Sequence, residues 1–162
     1  MRLGVAKGLG LALLLSSAAF AAAAQPQGGN VAPNSMGAAI TGDHIFLRPG
    51  EVILVRMAYS GGTLVPRFVA EGPDAGQGEP DRNQVRFTFL PAGGPPVLRV
   101  ENHTGERISF RAAYKDNVGN TRTPESCPAY RGVTDLPIPP RSIRVEIDDF
   151  SWGGHVRSGQ EC

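Results

Sequence analysis

Residues 97–114 carry two runs in which apolar and polar side chains take turns. Leu98 and Val100 alternate with Arg99 and Glu101; further on, Ile108, Phe110, Ala112 and Tyr114 alternate with Arg107, Ser109, Arg111 and Ala113. A period of two places one face of a strand in a core and the other in solvent, which no helix of 3.6 residues per turn can do. Asn102, Thr104 and Gly105 between the runs supply turn chemistry, with Gly105 free to adopt positive φ. The stretch therefore predicts a β-hairpin packed on a core through one face.

The same alternation recurs along the chain. A first strand is expected within residues 39–48, around Ile45 and Leu47. Pro49-Gly50 marks a turn, and residues 51–59 follow with Ile53, Val55, Met57 and Tyr59 on one face. Val52 and Leu54 add apolar character to the other face, as expected of a central strand. Residues 64–70 form a shorter strand containing Pro66, which cannot donate to a ladder and so belongs at an edge. Residues 71–83, rich in Gly, Pro, Asp and Glu, read as a long exposed loop whose acidic residues lack calcium-loop spacing. Val85, Phe87 and Phe89 define the next strand. Residues 115–140 read as irregular, with Pro137-Ile138-Pro139-Pro140 extended. Ile143, Val145 and Ile147 define a last strand facing inward, with Ser142, Arg144, Glu146 and Asp148 outward.

About seven strands, turn signals throughout, 21 Gly and 14 Pro predict an all-β, immunoglobulin-like antiparallel sandwich, with a small β-barrel as the alternative.

The N-terminus predicts destination. Arg2 and Lys7 precede an apolar run from Leu9 to Phe20, and Ala22-Ala23-Ala24 offers a cleavage site. Residues 1–24 read as a signal peptide, residues 25–38 as a flexible lead, and residues 39–162 as one domain in the periplasm or outside the cell. No membrane span is expected after cleavage. The chain has 16 basic and 15 acidic residues; loss of Arg2 and Lys7 leaves 14 against 15, turning a net charge of +1 into −1. That balance argues against nucleic-acid binding, which needs a concentrated basic face. In an oxidising compartment the only two cysteines, Cys127 and Cys162, are expected to form a disulfide.

Catalytic patterns are sparse. No Gly-x-Ser-x-Gly elbow occurs. His44, His103 and His155 are the candidate metal ligands, with Asp148 and Asp149 near His155 as possible carboxylates. Nothing in their linear spacing pairs them, so neither a metal nor a cofactor is expected. Asn102-His103-Thr104 matches a glycosylation sequon, but a tight turn demands the same residues. Arg86, Arg99, Arg107 and Arg111 are the candidate binding residues, as a cationic row on the outward face of one sheet.

Asn102-x-Thr104-Gly105, Phe110-x-Ala112, Ser126-Cys127-Pro128 and the late pattern ending Ile147-x-x-Phe150 resemble small exported proteins of proteobacteria that carry no assigned activity. The resemblance spans residues 97–150 and implies a periplasmic or secreted sandwich with no catalytic residues to carry over. The expected function is a non-enzymatic binding or structural module acting on a protein or envelope ligand. The alternatives are a copper- or zinc-binding protein using its histidines, or an assembly subunit exchanging a strand at the Pro66 edge.

Overall fold

The computed structural model describes residues 37–91, 95–122 and 127–153. The expected leader, most of the N-terminal lead, His155 and Cys162 lie outside them. Eleven strands and one helical turn follow in order: β1 (Ala39–Thr41), β2 (His44–Leu47), β3 (Val52–Ser60), β4 (Thr63–Glu71), α1 (Gly72–Gly76), β5 (Gln84–Leu90), β6 (Val97–Asn102), β7 (Ile108–Asp116), β8 (Thr121–Arg122), β9 (Cys127–Ala129), β10 (Gly132–Pro137) and β11 (Ser142–Trp152). They form an antiparallel sandwich, as expected. One sheet runs β1-β2-β11-β7-β8, with β9 also on β7; the other runs β10-β6-β5-β3-β4.

The core lies where the alternating faces meet. Phe87 and Phe89 from one sheet and Ile108, Phe110 and Ile147 from the other are at most 2% exposed. The Phe87 ring meets Phe110 edge-on at 5.7 Å and Phe150 at 6.1 Å, the geometry that aromatic quadrupoles favour. β3 lies between β5 and β4, and its outward Leu54 is buried while α1 packs on β3 and β4. β4 is the edge strand of its sheet, where Pro66 was expected. The β3–β4 hairpin turns on Gly61-Gly62, both with positive φ (61° and 85°), as a twist-matched two-residue turn requires.

The expected hairpin of residues 97–114 is not one. β6 pairs with β5 and β10, whereas β7 pairs with β11, β8 and β9. Residues 103–107 carry the chain across the sandwich as an arch. Alternation specifies which face is buried but not which neighbour supplies the hydrogen bonds. Gly105 is not among the glycines with positive φ, so the arch does not rest on its conformational freedom.

Two further differences have local causes. β8, β9 and β10 lie inside the segment expected to be irregular; they are short, and in β10 only Leu136 is buried. In β11 a register shift between Ser142 and Arg144 reverses the parity, so Ile143 is 47% exposed and Ser142 is buried. A second irregularity at Asp149 (φ 52°) returns Phe150 to the core. Bulges of this kind bend a strand and change which side chains face inward.

Candidate functional site

The arch builds one end of the sandwich. Asn102 closes β6 with its side chain wholly buried. Its Nδ2 donates to the carbonyls of Glu106 (2.9 Å) and Ala129 (3.1 Å), while its Oδ1 accepts from the Thr104 backbone N–H (2.9 Å) and hydroxyl (2.6 Å). Every donor and acceptor of the amide is thereby used. The amide therefore serves the arch rather than being presented for glycosylation.

Between these two buried residues, alternation turns His103 outward. Its backbone N–H donates to the Gln84 carbonyl (3.0 Å). Gln84 is in turn held by Asp81, donating Nε2 to its carboxylate (3.1 Å) and accepting the Asp81 N–H (2.9 Å). His103 then lies at a cleft of about 500 Å³ lined by Glu79, Pro80, Arg82, Asn102, His103, Arg131 and Gly132. Arg82 comes from the turn before β5, whose Asn83 has φ 66°, and Arg131 from the link before β10, whose Gly132 has φ 95°. Glu79 approaches the His103 ring at 3.6 Å but is largely exposed. Among the described residues, neither the Arg82 nor the Arg131 guanidinium has an ion-pair partner. Among the described residues, the cleft is thus lined by two exposed arginines and a histidine against one acidic residue.

The four arginines expected to form a row do not share a face. Arg86 (β5) and Arg99 (β6) lie on one sheet, and Arg111 (β7) lies on the other. Because β6 and β7 are not partners, Arg99 and Arg111 never become cross-strand neighbours. Arg86 is buried and bonds to Glu101 (2.8 Å) and to the carbonyls of Ala75 (2.6 Å), Gln77 (3.2 Å) and Gly78 (2.6 Å). It fastens the acidic loop onto the sheet. Arg99 forks onto Asp135 at 2.8 Å twice, and that hydrogen bonding holds the Asp135 carboxyl below its ordinary range. Arg111 forks onto Asp148 (2.8 and 2.6 Å). Arg107, just before β7, sits 5.5 Å from the Tyr130 ring centroid, in cation–π range.

The outer face of the other sheet carries a second cluster. Glu146 lies across from Phe46, and the same register sets His44 across from Asp148. His44 Nδ1 is 2.8 Å from Glu146 Oε1 and 3.5 Å from Asp148 Oδ2. The His44 ring stacks near Phe46 (6.1 Å, 12°), and Arg144 lies 4.3 Å over the same Phe46 ring.

Of the three candidate histidines, the two within the described residues, His44 and His103, are not brought together. His44 and His103 belong to different sheets' surroundings, and His155 is outside the described residues. Asp148 lies 3.5 Å from His44 Nδ1. Cys127 opens β9 fully buried, and its expected partner, Cys162, is outside the described residues. Sequence reading missed Arg82, Arg131 and Glu146. Glu146 was within reach, since Glu146 and Asp148 share one face of a strand by the period of two. Arg82 and Arg131 carry no linear signal, because three separate segments meet at the cleft.

Comparison with protein-family models, with curated proteins and with solved structures gives no match, so the chemistry of these sites stands on their geometry.

Proposed function

We propose that the chain is an exported, non-enzymatic binding module that captures an anionic group at the arch cleft. The observation that carries the reading is the contrast among the arginines. Arg86, Arg99 and Arg111 are each tied to a carboxylate, whereas Arg82 and Arg131 line a concave site with no ion-pair partner among the described residues. A guanidinium presents a planar donor fork suited to carboxylate or phosphate, and a concave site raises its effect by excluding part of the solvent. Among the described residues the lining offers no hydroxyl or thiol nucleophile beside His103, which supports binding rather than covalent chemistry. A bridge between Cys127 and Cys162 and removal of residues 1–24 complete the proposal, placing the domain in the periplasm or outside the cell.

The test is a titration of the isotope-labelled protein with inorganic phosphate and with citrate, followed through backbone amide shifts. Saturable shifts confined to residues 79–84, 102–104 and 131–132, abolished in Arg82→Gln/Arg131→Gln, are expected. Shifts spread over the surface, or unchanged in the double variant, would refute it.

A further inference from the structure

We propose that His44, Glu146 and Asp148 form a binding site for one divalent first-row transition ion, with zinc as the reference metal, on the face of the sandwich formed by β2, β11 and β7. One ligand atom from each residue lies within 4.8 Å of the others. An ion bound at about 2.0–2.2 Å to nitrogen and oxygen needs neighbouring ligand atoms about 3 Å apart. The separations of His44 Nδ1 from Glu146 Oε1 (2.8 Å) and from Asp148 Oδ2 (3.5 Å) bracket that figure.

Three observations favour an ion over a plain hydrogen-bonded cluster. Nδ1 holds at most one proton, so it can serve as donor to only one of the two carboxylates it faces, whereas a cation accepts both and the imidazole lone pair together. The charges are also unbalanced. Asp43, whose Oδ1 is 3.4 Å from His44 Nε2, joins Glu146 and Asp148 as a third carboxylate, against the guanidiniums of Arg111 and Arg144. Asp149 also acts on Arg111, so four carboxylates face two guanidiniums, a net negative charge that a divalent ion offsets.

Finally, the ligands are prepositioned. Asp148 is almost wholly buried and gripped by both forks of Arg111, and the His44 ring lies against Phe46. Outer contacts of this kind orient metal ligands and hold their charge. All three ligands project from neighbouring hydrogen-bonded strands, a stiffer base than a loop.

The donor set fixes the class of ion. One imidazole with two carboxylates suits zinc, copper or nickel, and the nitrogen disfavours calcium and magnesium, which prefer all-oxygen sites. Three protein ligands leave at least one position for water. Arg111 is a positioning residue: it touches Asp148, not the ion.

Calorimetric titration of the metal-free full chain with zinc chloride should show one equivalent binding, not displaced by millimolar magnesium. His44→Gln and Glu146→Gln should each weaken binding tenfold or more, and Arg111→Gln should weaken it less. His103→Gln should leave it unchanged. In the wild-type protein, zinc should shift the His44 ring resonances and spare those of His103, a readout that needs no variant to fold. Absence of zinc uptake at 100-fold molar excess would overturn the proposal. Uptake retained in both His44→Gln and Glu146→Gln, or a ring shift at His103 or His155 alone, would overturn it as well.

Discussion

Replacing Asn102 by Ala should cost more than its modest size suggests. The amide is wholly buried and makes four hydrogen bonds that close the arch between the sheets. Truncation leaves the Thr104 N–H without its acceptor and takes a donor from the carbonyls of Glu106 and Ala129. A buried donor left unmade costs about 1–3 kcal/mol, and a carbonyl losing one of two partners costs less. Once the amide is gone, the Thr104 hydroxyl can turn its single proton to the Glu106 carbonyl 2.8 Å away, which limits that carbonyl's share. The sum is about 3–5 kcal/mol, a large part of the roughly 5–15 kcal/mol that holds a domain of this kind together.

Asn102→Asp is the sharper probe. It keeps the acceptor oxygen but sets a second, charged oxygen against two carbonyls. Ionisation is then disfavoured in the fold, so the carboxyl titrates above its unfolded value of about 3.9. A raised folded pKa means that stability is greatest below the unfolded value and falls as pH rises through the folded one. The Asp variant should therefore approach wild-type stability most closely near pH 4 and fall away towards pH 7.

Urea unfolding followed by the fluorescence of the single tryptophan is the assay. Trp152 pairs with Ile108, and Gly153 donates to the Arg107 carbonyl at 2.8 Å, so the probe sits beside the arch. A loss under about 1 kcal/mol for Asn102→Ala, or an Asp variant whose deficit does not grow with pH, would show that the arch does not depend on this amide.

Further consequences follow from other parts of the fold. Arg86→Met should destabilise by about 3–5 kcal/mol, because Glu101 and the carbonyls of Ala75, Gln77 and Gly78 lose a buried partner, and adding Glu101→Leu should recover part of the loss. A double-mutant cycle in urea checks it, and an additive pair would contradict the reading. Ile147→Ala should cost about 2–5 kcal/mol while Ile143→Thr stays within about 0.5 kcal/mol, since only the former lies in the core; equal costs would contradict the register shift in β11. Burial pushes the Tyr114 hydroxyl up to about 12 from 10.0. The stability linked to this group should be complete below pH 10, and about 2–3 kcal/mol should be lost as pH rises through 12. Tyr114→Phe should flatten that part of a pH–stability curve. Alkylation of the unreduced, denatured chain should find no free thiol, and modification of both Cys127 and Cys162 would remove the proposed bridge.

Much of the fold was legible without coordinates. Period-two alternation around Val85, Phe87 and Phe89, or Ile108 and Phe110, specifies a strand and its buried face, because the pleat leaves no other way to bury every second side chain. Pro66 announced an edge and Pro49-Gly50 a turn, which the Glu51 N–H closes on the Arg48 carbonyl, since each follows from the backbone's own limits. Partner choice was not legible. Residues 97–102 and 108–114 look like the arms of a hairpin, and only the packing of two sheets sends them apart, with Asn102 and Thr104 buried to satisfy the crossing. Bulges are equally silent: Ile143 obeys the alternation in sequence and escapes the core because one added residue reverses the parity of β11. For the same reason neither site could be read from the chain. Arg82, His103 and Arg131 meet because three links end at one edge of the sandwich. His44 meets Glu146 and Asp148 across about a hundred residues because β2 pairs with β11. Local chemistry determines the elements, and long-range pairing, which no local pattern encodes, decides which side chains share a surface.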